Sequence, residues 1–362
     1  LGGRAMEVVY GSEDLMNYLT EAFQVNDSNP VLLDKFLDVA IEFDVEAISD
    51  GSRILICGIL QHIEQAGVHS GDSACSIPPY NITIETENKI KNEVIKVIKN
   101  MNIIGLVNVQ IAYVNDTVYL LEVNPRASRT IPFVSKALGL PLAKIAARVM
   151  AGISLEEQKI LNIPELKLFN VKEAVMPFNK FQNVDPILGP EMRSTGEVMG
   201  IGKTFEEAFE KAEIAAGVTI PDSGSAFISV RDIDKQFLKE IAEDLTESNF
   251  SLVGTKGTVR ALKELGFQAR QINKVLEGRP HIIDLMKNSE ITLVINTTEG
   301  RESIKDSASI RRTALEEKIC CTTTIQGAVA ICKVIKNQLD WSVQKLQDIP
   351  VSYTHLRAHE TR

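Results

Sequence analysis

The chain has 362 residues, of which 44% are hydrophobic and 24% charged, enough for two or three domains with real cores. The formal net charge of -9 argues against a general nucleic-acid binder. There is no apolar run of about 18 residues and no signal-peptide pattern at the start, so neither a membrane span nor secretion is expected. The five cysteines lack C-x-x-C spacing. This favours buried thiols in a cytoplasmic protein over a disulfide framework or a zinc site.

The first predicted elements are strands. Residues 31–60 are predicted to be extended, and within them apolar and acidic residues alternate in IEFDVEAI (41–48). This alternation is typical of a strand with one buried face. RILICGIL follows after the turn SDGS as the next strand. A helix is predicted over 84–99, where apolar residues recur on one side.

A hairpin and a helix come next in the chain. LVNVQIAYV and TVYLLEV are predicted to be strands joined through Asn115 and Asp116. Residues 141–150 are predicted to form a helix with a proline near its first turn. The segment 155–222 is predicted to be less regular, apart from a helix in TFEEAFEKAEIAAG. Antiparallel strands mixed with helices indicate an α+β fold for this first region.

After residue 218 the pattern changes to strands that alternate with helices. The strand patterns are SAFISV, FSLVG, FQARQI, ITLVINTT and KICCTTT, and the helical patterns lie near 233–247, 257–265, 281–288, 304–317 and 325–338. This alternation predicts a doubly wound parallel sheet, which binds ligands beyond the carboxyl ends of its strands. The polar clusters GTKGT, NTTEG and TTT lie at those ends. The last twelve residues, VSYTHLRAHETR, lack an apolar period and are interpreted as a non-native appendage.

The predicted hairpin ends in polar residues that suit a charged ligand. Glu122 and Asn124 are two residues apart and share a face, and Gln110 lies on the partner strand. Their oxygen atoms suit a hard cation such as Mg²⁺. Arg126 and Arg129 follow, with planar forks for phosphate or carboxylate oxygens. The alternative is a solvated strand end with its arginines lying over the next helix, and spacing alone does not decide between the two.

A second polar cluster lies in HIEQAGVHSGDSACS. It gathers His62, Glu64, His69, Ser70 and Asp72 around two glycines. A glycine-rich loop with a histidine can lie near a nucleotide, but such loops are common. Taken alone, this stretch favours an ordinary loop.

Five stretches together resemble the large subunit of carbamoyl phosphate synthetase of the bacterial, glutamine-dependent type. They are LLDKFLDVAIEFDVEAI, HIEQAGVHSGDSACS, VNVQ, LLEVNPRASRTIPFVSKALGLPLAKIAARVMAG and DPILGPEMRSTGEVMG. The resemblance implies an α+β ATP-grasp C-terminal lobe over 1–217, from the second ATP-grasp unit. It also implies an α/β doubly wound, methylglyoxal-synthase-like domain over 218–345 and a tail over 346–362.

The resemblance implies a ligase that uses ATP to phosphorylate carbamate to carbamoyl phosphate, in pyrimidine and arginine biosynthesis. Its cofactors would be ATP, Mg²⁺ or Mn²⁺ and, commonly, K⁺, whose ligands we do not assign. Catalytic positions would be Asn124, Arg126 and Arg129, and metal positions Gln110, Glu122 and Asn124. The nucleotide-binding positions would be Lys35, Leu37, Glu42, Gly67, Val68, His69, Ser70, Gln110 and Glu122.

The resemblance also implies control by small effectors. An ornithine site would use Glu64, Asp72, Glu173 and Thr323, because carboxylates can pair with two ammonium groups. Hydroxyls and lysines at strand-to-helix turns would cradle the phosphate of UMP or IMP. The implied nucleotide positions are Lys235, Thr255, Thr258, Lys274, Asn296, Thr297, Thr298 and Ser307, with Arg311 and Arg312 nearby. Helix capping is the alternative role for the hydroxyls.

The implied partners are a glutaminase small subunit and the rest of the large subunit. Neither nucleic acid nor a membrane is an expected partner. The resemblance is also compatible with a homo-oligomer of the intact enzyme. Since Leu1 would lie after much of the nucleotide-binding lobe, the chain alone is expected to lack carbamate kinase-like activity. Formation of ATP from ADP and carbamoyl phosphate by the chain alone would contradict this. One alternative is a regulatory module that only binds nucleotides. Another, a relative of biotin carboxylase, fits EVNPR but not GPEMRSTGEVMG or the effector region.

Overall fold

The computed structural model describes residues 6–25, 30–37, 39–178 and 185–337. Two β-sheets organise this part of the chain, one of 7 strands and one of 5. No helix within these ranges is long and apolar enough to span a membrane. The predicted tail over 346–362 lies outside the described residues.

The first sheet is antiparallel throughout. Its strands are β1 (Ile41–Ser49), β2 (Ile54–His62), β3 (Cys75–Ile77), β4 (Gly105–Val114), β5 (Thr117–Asn124), β6 (Phe169–Val175) and β7 (Gly196–Gly202). They are ordered β5-β4-β1-β2-β3-β6-β7. The predicted hairpin is confirmed: β4 and β5 are joined through Asn115 and Asp116, whose φ angles are 49° and 57°, as a two-residue hairpin turn requires.

Two predictions about where the strands of this region lie are wrong. The extended pattern assigned to 31–60 begins later, because β1 starts at Ile41. The segment 155–222 is more regular than predicted, since it contributes β6 and β7 to the sheet. The glycines of β7 resemble loop residues, but a Cβ on Gly200 would lie 2.0 Å from the backbone oxygen of Ala208. Gly200 is needed because a helix lies directly on the strand at that point.

The described residues of the first region form five helices. They are α1 (Ser12–Val25), α2 (Ile84–Asn100), α3 (Ile131–Leu138), α4 (Leu142–Met150) and α5 (Phe205–Ala216). Side chains of α2 pack on one face against Val45 and Val109. Side chains of α3 and α4 pack on the opposite face against Leu60 and Leu106. Both faces of β1 are therefore covered.

The prediction of one buried face for β1 is wrong for this reason. Asp44 and Glu46, expected to face solvent, are 1% and 0% exposed. They lie on the same face of the sheet as α3 and α4, next to the apolar cluster that these helices form with Leu60 and Leu106. The polar groups there need partners inside the protein.

The second sheet is parallel throughout, which confirms the predicted doubly wound unit. Its strands are β8 (Gly224–Ser229), β9 (Phe250–Gly254), β10 (Arg270–Gln271), β11 (Leu293–Asn296) and β12 (Cys320–Thr322), in the order β10-β9-β8-β11-β12. Its helices are α6 (Leu238–Glu247), α7 (Lys256–Glu264), α8 (Ile282–Lys287), α9 (Arg301–Glu316) and α10 (Ile325–Asn337). The strand predicted at FQARQI is only the 2 residues of β10.

The two sheets share one hydrophobic core. Helix α5 packs on β6 and β7 and also on α10. Phe209 on α5 belongs to the same buried cluster as Val171 of the first sheet and Ile228 and Ile331 of the second unit. The predicted boundary at 217–218 lies just after α5, in the interval between the sheets.

All five cysteines are free, and four of them are buried. Burial raises the pKa of the half-buried Cys321 thiol to about 12 and raises those of Cys57, Cys320 and Cys332. A thiol that stays protonated is a poor nucleophile. The prediction that these residues pack rather than react is therefore supported.

Candidate functional site

Three neighbouring strands bring six polar side chains to one face of the first sheet. Directly paired residues of antiparallel strands share a face. The pairs form two rows, Glu122–Gln110–Asp44 and Asn124–Asn108–Glu46. These rows lie beyond the apolar cluster that α3 and α4 cover.

The three predicted metal ligands lie together in these rows. The Gln110 side-chain nitrogen donates to Ser70 Oγ at 2.8 Å. Asn124 Nδ2 donates to Asn108 Oδ1 at 3.4 Å, and Asn124 Oδ1 accepts from Arg126 Nη2 at 3.1 Å. The carboxylate of Glu122 is exposed. One carboxylate and two amide oxygens on one face form a donor set that fits a hard divalent cation.

The loop that carries Arg126 and Arg129 is attached to the sheet through Glu46. One Glu46 oxygen accepts from Asn108 Nδ2 at 2.8 Å and from the hydroxyls of Ser128 and Thr130. Its other oxygen is buried without a hydrogen-bond partner among the described residues. Burial raises the pKa of Glu46 to about 7. Glu46 therefore fixes the backbone from which both arginines extend.

A buried charged group lies beside these rows. His62 Nε2 is 3.0 Å from Asp44 Oδ2, and His62 Nδ1 is 3.5 Å from Glu42 Oε2. Burial alone would lower the pKa of His62. Cys75 and the hydrogen bond to Asp44 nevertheless hold this pKa well above its ordinary value. Lys172, which is 1% exposed, donates to the Ser70 carbonyl at 3.2 Å. Ligand atoms of Asp44, His62 and Cys75 lie within 4.8 Å of one another. Asp44 already has two cations beside it, His62 and Lys172.

The predicted nucleotide-binding positions of the glycine-rich loop lie next to the polar rows. Gly67 N donates to Glu42 Oε1 at 3.1 Å. Gly67 has a φ of +94°, and a Cβ there would lie 2.8 Å from the Phe36 ring, so only glycine fits. Val68 is buried, and His69 N donates to the Gly189 carbonyl at 2.9 Å. The structure thus places this loop between Glu42 and the Gln110–Ser70 contact.

Two further predicted nucleotide-binding positions precede β1. Leu37 packs on a small buried cluster of Ala40, Ala66 and Ala112. Lys35 is exposed. Leu37 therefore lies against the glycine-rich loop, since Ala66 belongs to it.

Two of the predicted ornithine positions, Glu64 and Glu173, lie near each other and near Glu213. Burial and the neighbouring Glu173 raise the pKa of Glu64 to about 8. Burial and Glu213 raise the pKa of Glu173 well above its ordinary value. Burial and Glu64 raise the pKa of the half-buried Glu213 to about 8. Three carboxylates thus repel one another, which favours a cationic ligand or protonation.

The other two predicted ornithine positions have different surroundings. The two carboxylate oxygens of Asp72 accept the backbone N–H groups of Arg193 at 2.7 Å and Ser194 at 2.9 Å. Thr323 follows β12 in the second unit. Asp72 therefore anchors a neighbouring segment in this structure.

The predicted effector positions gather at the carboxyl ends of β8, β9 and β11. Thr258 Oγ1 accepts from Val230 N at 3.4 Å, and Thr297 Oγ1 accepts from Arg231 N at 3.1 Å. Asn296 Oδ1 accepts from Arg311 Nη1 at 3.5 Å. Thr255 precedes α7 but makes no capping hydrogen bond with its side chain, so capping does not account for its hydroxyl.

The remaining predicted effector positions lie on other parts of the second unit. Lys235 Nζ lies 2.6 Å from Asp232 Oδ1. Lys274 precedes the short 3₁₀ helix Val275–Glu277. Thr298 and Ser307 are half-buried, the first just after β11 and the second on α9.

Sequence reasoning missed several residues of the site. These are Asp44, Glu46, Asn108, Lys172 and Glu213. A signal existed for Asn108, because it lies two residues before Gln110 and must share its face. For Asp44 and Glu46 the alternation of β1 is a signal, but by itself it indicates a side that faces solvent.

Two family descriptions match the chain: "Carbamoyl-phosphate synthase L chain, ATP binding domain" over residues 1–158 and "MGS-like domain" over residues 238–323. The carbamoyl phosphate synthase large chain of Pseudomonas aeruginosa is 55% identical over 349 residues, which are 96% of this chain and 32% of that protein. The large chain of Xanthomonas axonopodis pv. citri is 52% identical over 355 residues, 96% of this chain and 33% of that protein. The chain thus spans about a third of the length of these relatives.

Among solved structures, the biotin carboxylase domain of a single-chain bacterial carboxylase is similar over 47% of this chain and 38% of that chain. The sequence identity is 14% and the TM-score 0.38. A likeness this low adds nothing to the family assignment, which rests on the sequence matches.

Proposed function

Since the chain belongs to the family of the carbamoyl phosphate synthase large chain, we propose that it carries a phosphoryl-transfer site for carbamate and the unit that regulates it. The reaction proposed is the ATP-dependent phosphorylation of carbamate to carbamoyl phosphate, within a glutamine-hydrolysing synthetase of pyrimidine and arginine biosynthesis. The observation that carries this proposal is the pairing of Gln110 with Glu122 on one face, beside the loop of Arg126 and Arg129.

In this proposal Gln110, Glu122 and Asn124 hold Mg²⁺ or Mn²⁺. Such an ion, when bound, would neutralise charge on the ATP phosphates. Arg126 and Arg129 bind and orient the anionic carbamate and the transferred phosphoryl group, because positioning and charge stabilisation dominate phosphoryl transfer. Glu42, Leu37 and the glycine-rich loop, with Lys35 nearby, bind the nucleoside. A K⁺ ion without assigned ligands is part of the same proposal.

The regulatory side of the proposal concerns the second unit. UMP or IMP would bind at the carboxyl ends of β8, β9 and β11, where Thr255, Asn296 and Thr297 gather. Ornithine would bind near Glu64 and Glu173, whose carboxylates suit its ammonium groups. The proposed partners are a glutaminase small subunit and the rest of the large chain, in the cytoplasm, with self-association of the intact enzyme allowed.

The arginines provide the test of this function. In the complete large chain with its glutaminase partner, Arg129→Ala should lower kcat for ATP formation from ADP and carbamoyl phosphate by roughly 100-fold. The KM for ADP should change less, because Arg129 lies on the substrate side. The control is Arg148→Ala, since Arg148 is exposed on α4 away from the polar rows. An unchanged kcat in Arg129→Ala would remove the proposed role.

A second candidate function is a module that only binds effector nucleotides. It is favoured by the complete parallel sheet of the second unit and its polar strand ends. Calorimetric titration of the purified chain with UMP, IMP and ATP separates the two. Saturable binding of UMP or IMP without binding of ATP would support the module for this chain, whereas ATP binding would support the phosphoryl-transfer site.

A further inference from the structure

Arg311 joins the two units through a buried ion pair. It lies on α9 of the second unit and is 0% exposed. Its Nε donates to Asp185 Oδ1 at 2.7 Å and its Nη2 donates to the other Asp185 oxygen, a bidentate arrangement. Nη2 also donates to the Ile304 carbonyl at 2.7 Å. Bidentate arginine–carboxylate pairs are among the strongest and most directional polar contacts in proteins.

Asp185 opens a segment that contacts the candidate catalytic and ornithine positions. We name residues 185–194 the bridging segment. Its Gly189 carbonyl accepts from His69 N, its Met192 sulfur contacts the guanidinium of Arg129, and its last two N–H groups donate to Asp72. The segment is therefore held at one end by Arg311 and along its length by His69, Arg129 and Asp72.

Arg311 also contacts the candidate effector site directly. Its Nη1 donates to Asn296 Oδ1 at 3.5 Å, the longest of its hydrogen bonds. A nucleotide that engages the Asn296 amide would compete with this contact. A buried guanidinium that loses an acceptor must adjust against its remaining partners, since unpaired buried charge is costly. Its strongest remaining partner is Asp185.

A second arginine makes a parallel connection from the neighbouring effector position. Arg231 N donates to Thr297 Oγ1 at 3.1 Å, and Arg231 Nη2 donates to Gln65 Oε1 at 3.4 Å. Gln65 begins the turn that leads into Gly67 of the glycine-rich loop. Two adjacent effector positions, Asn296 and Thr297, thus each contact an arginine that reaches the first unit.

We propose that Arg311 and Asp185 are positioning residues that couple nucleotide binding in the second unit to the phosphoryl-transfer site. Occupancy of Asn296 shifts the guanidinium, and the bridging segment transmits the shift to Asp72 and Arg129. This inference rests on the proposed function, because it assumes both an effector nucleotide and a transfer site.

The first measurement tests, without any effector, whether the Arg311–Asp185 pair holds the bridging segment in place. The protein to use is the complete large chain with its glutaminase partner. There, amide hydrogen exchange of Arg193 and Ser194 reports whether their N–H groups stay hydrogen-bonded to Asp72. Asp185→Asn and Arg311→Lys should each raise that exchange about tenfold, because each breaks the bidentate pair. Asp185 has a side chain that is 27% exposed, so Asp185→Asn keeps the proposal testable even if Arg311→Lys fails to fold.

The second measurement follows the coupling itself. UMP and IMP should bind Asp185→Asn with affinities within about threefold of the unchanged protein, since Asp185 does not touch the nucleotide positions. In the Asp185→Asn protein, UMP and IMP should no longer change the KM for ADP. The matched control is Arg270→Lys, because Arg270 pairs with Glu290 through an exposed contact in the same unit. That variant should keep both binding and response.

The outcomes separate the inference from the proposed function. If Asp185→Asn keeps the full UMP or IMP response, or if amide exchange of Arg193 and Ser194 is unchanged, the coupling through Arg311 is wrong. If neither nucleotide binds the unchanged protein, the proposed effector function itself is wrong. Loss of response with retained binding supports the coupling alone.

Discussion

At the scale of single residues, Glu46 organises the candidate site without being a predicted ligand. Its carboxylate joins Asn108 of β4 to Ser128 and Thr130 of the arginine loop. All of these contacts use one oxygen, and the side chain is 0% exposed. Glu46 is therefore the residue whose change should loosen the loop without removing any group that touches substrate.

Two substitutions at Glu46 should differ in stability. Glu46→Ala leaves Asn108, Ser128 and Thr130 without their acceptor and should lower the free energy of unfolding by about 2–4 kcal/mol. Glu46→Gln keeps an acceptor oxygen and should cost less than half of that. Chemical denaturation of both variants at pH 6 measures the difference, and equal losses would show that the acceptor is unimportant.

The pH dependence of Glu46 has a definite sign. Burial raises its pKa from 4.5 to about 7 in the folded protein. The stability that the protonated form contributes is complete below pH 4.5 and is lost as the pH rises through about 7. Relative to the unchanged protein, Glu46→Gln should therefore gain on the order of 2 kcal/mol between pH 5 and pH 8. A constant difference across that range would contradict the raised pKa.

Glu64 and Glu213 make a related prediction for the proposed ornithine site. Burial raises the pKa of both carboxyl groups to about 8, helped by repulsion from Glu173 at Glu64 and from Glu64 at Glu213. A diamino acid pairs with the ionised forms, so its binding should release protons and tighten as the pH rises from 6 to 8. Calorimetry of ornithine in buffers of different ionisation enthalpy measures the released protons.

The variant Glu213→Gln provides the matched comparison for that titration. It removes one repelling carboxylate and should reduce the number of protons released at pH 7. Tighter ornithine binding at pH 6 than at pH 8, or the same proton release in both proteins, would contradict the interpretation of this cluster.

At the scale of elements, the tight packing of α5 on β7 depends on glycine. A Cβ on Gly200 would lie 2.0 Å from the Ala208 oxygen and 2.6 Å from Ala212 N. Gly196, at the start of the same strand, has no atom within 4 Å of such a Cβ. The two positions thus form a matched pair in one strand.

Gly200→Ala should lower the free energy of unfolding by about 2–3 kcal/mol, because the helix must move away from the strand. Gly196→Ala should change it by less than about 0.5 kcal/mol, since its surroundings are open. Thermal unfolding of the two variants side by side measures the contrast. Similar melting temperatures would mean that α5 does not pack as closely as described.

Elements also show how far sequence reasoning extends. The hairpin and the pairing of Gln110 with Glu122 could be predicted, because a two-residue turn fixes which residues face each other. The buried state of Asp44 and Glu46 could not. Alternation shows that two faces of β1 differ in polarity, but the glycine-rich loop and the arginine loop that cover the polar face are far away in the sequence.

At the scale of the whole molecule, the two units share a core around α5. Phe209 is 2% exposed and belongs to a cluster with residues of both sheets. Phe209→Ala should lower the free energy of unfolding by about 3–5 kcal/mol. The loss should appear as faster amide exchange in β6 and also in β8. Faster exchange confined to one sheet would show that the units unfold independently.

The phosphoryl-transfer site on the polar rows is the central claim, and Glu122 tests it most directly. The measurement is the rate of ATP formation from ADP and carbamoyl phosphate by the complete large chain with its glutaminase partner. Glu122→Gln should lower that rate by roughly 100-fold or more, whereas Glu93→Gln on the exposed side of α2 should leave it unchanged. A Glu122→Gln variant that keeps its full rate would contradict the assignment of this face as the site of phosphoryl transfer.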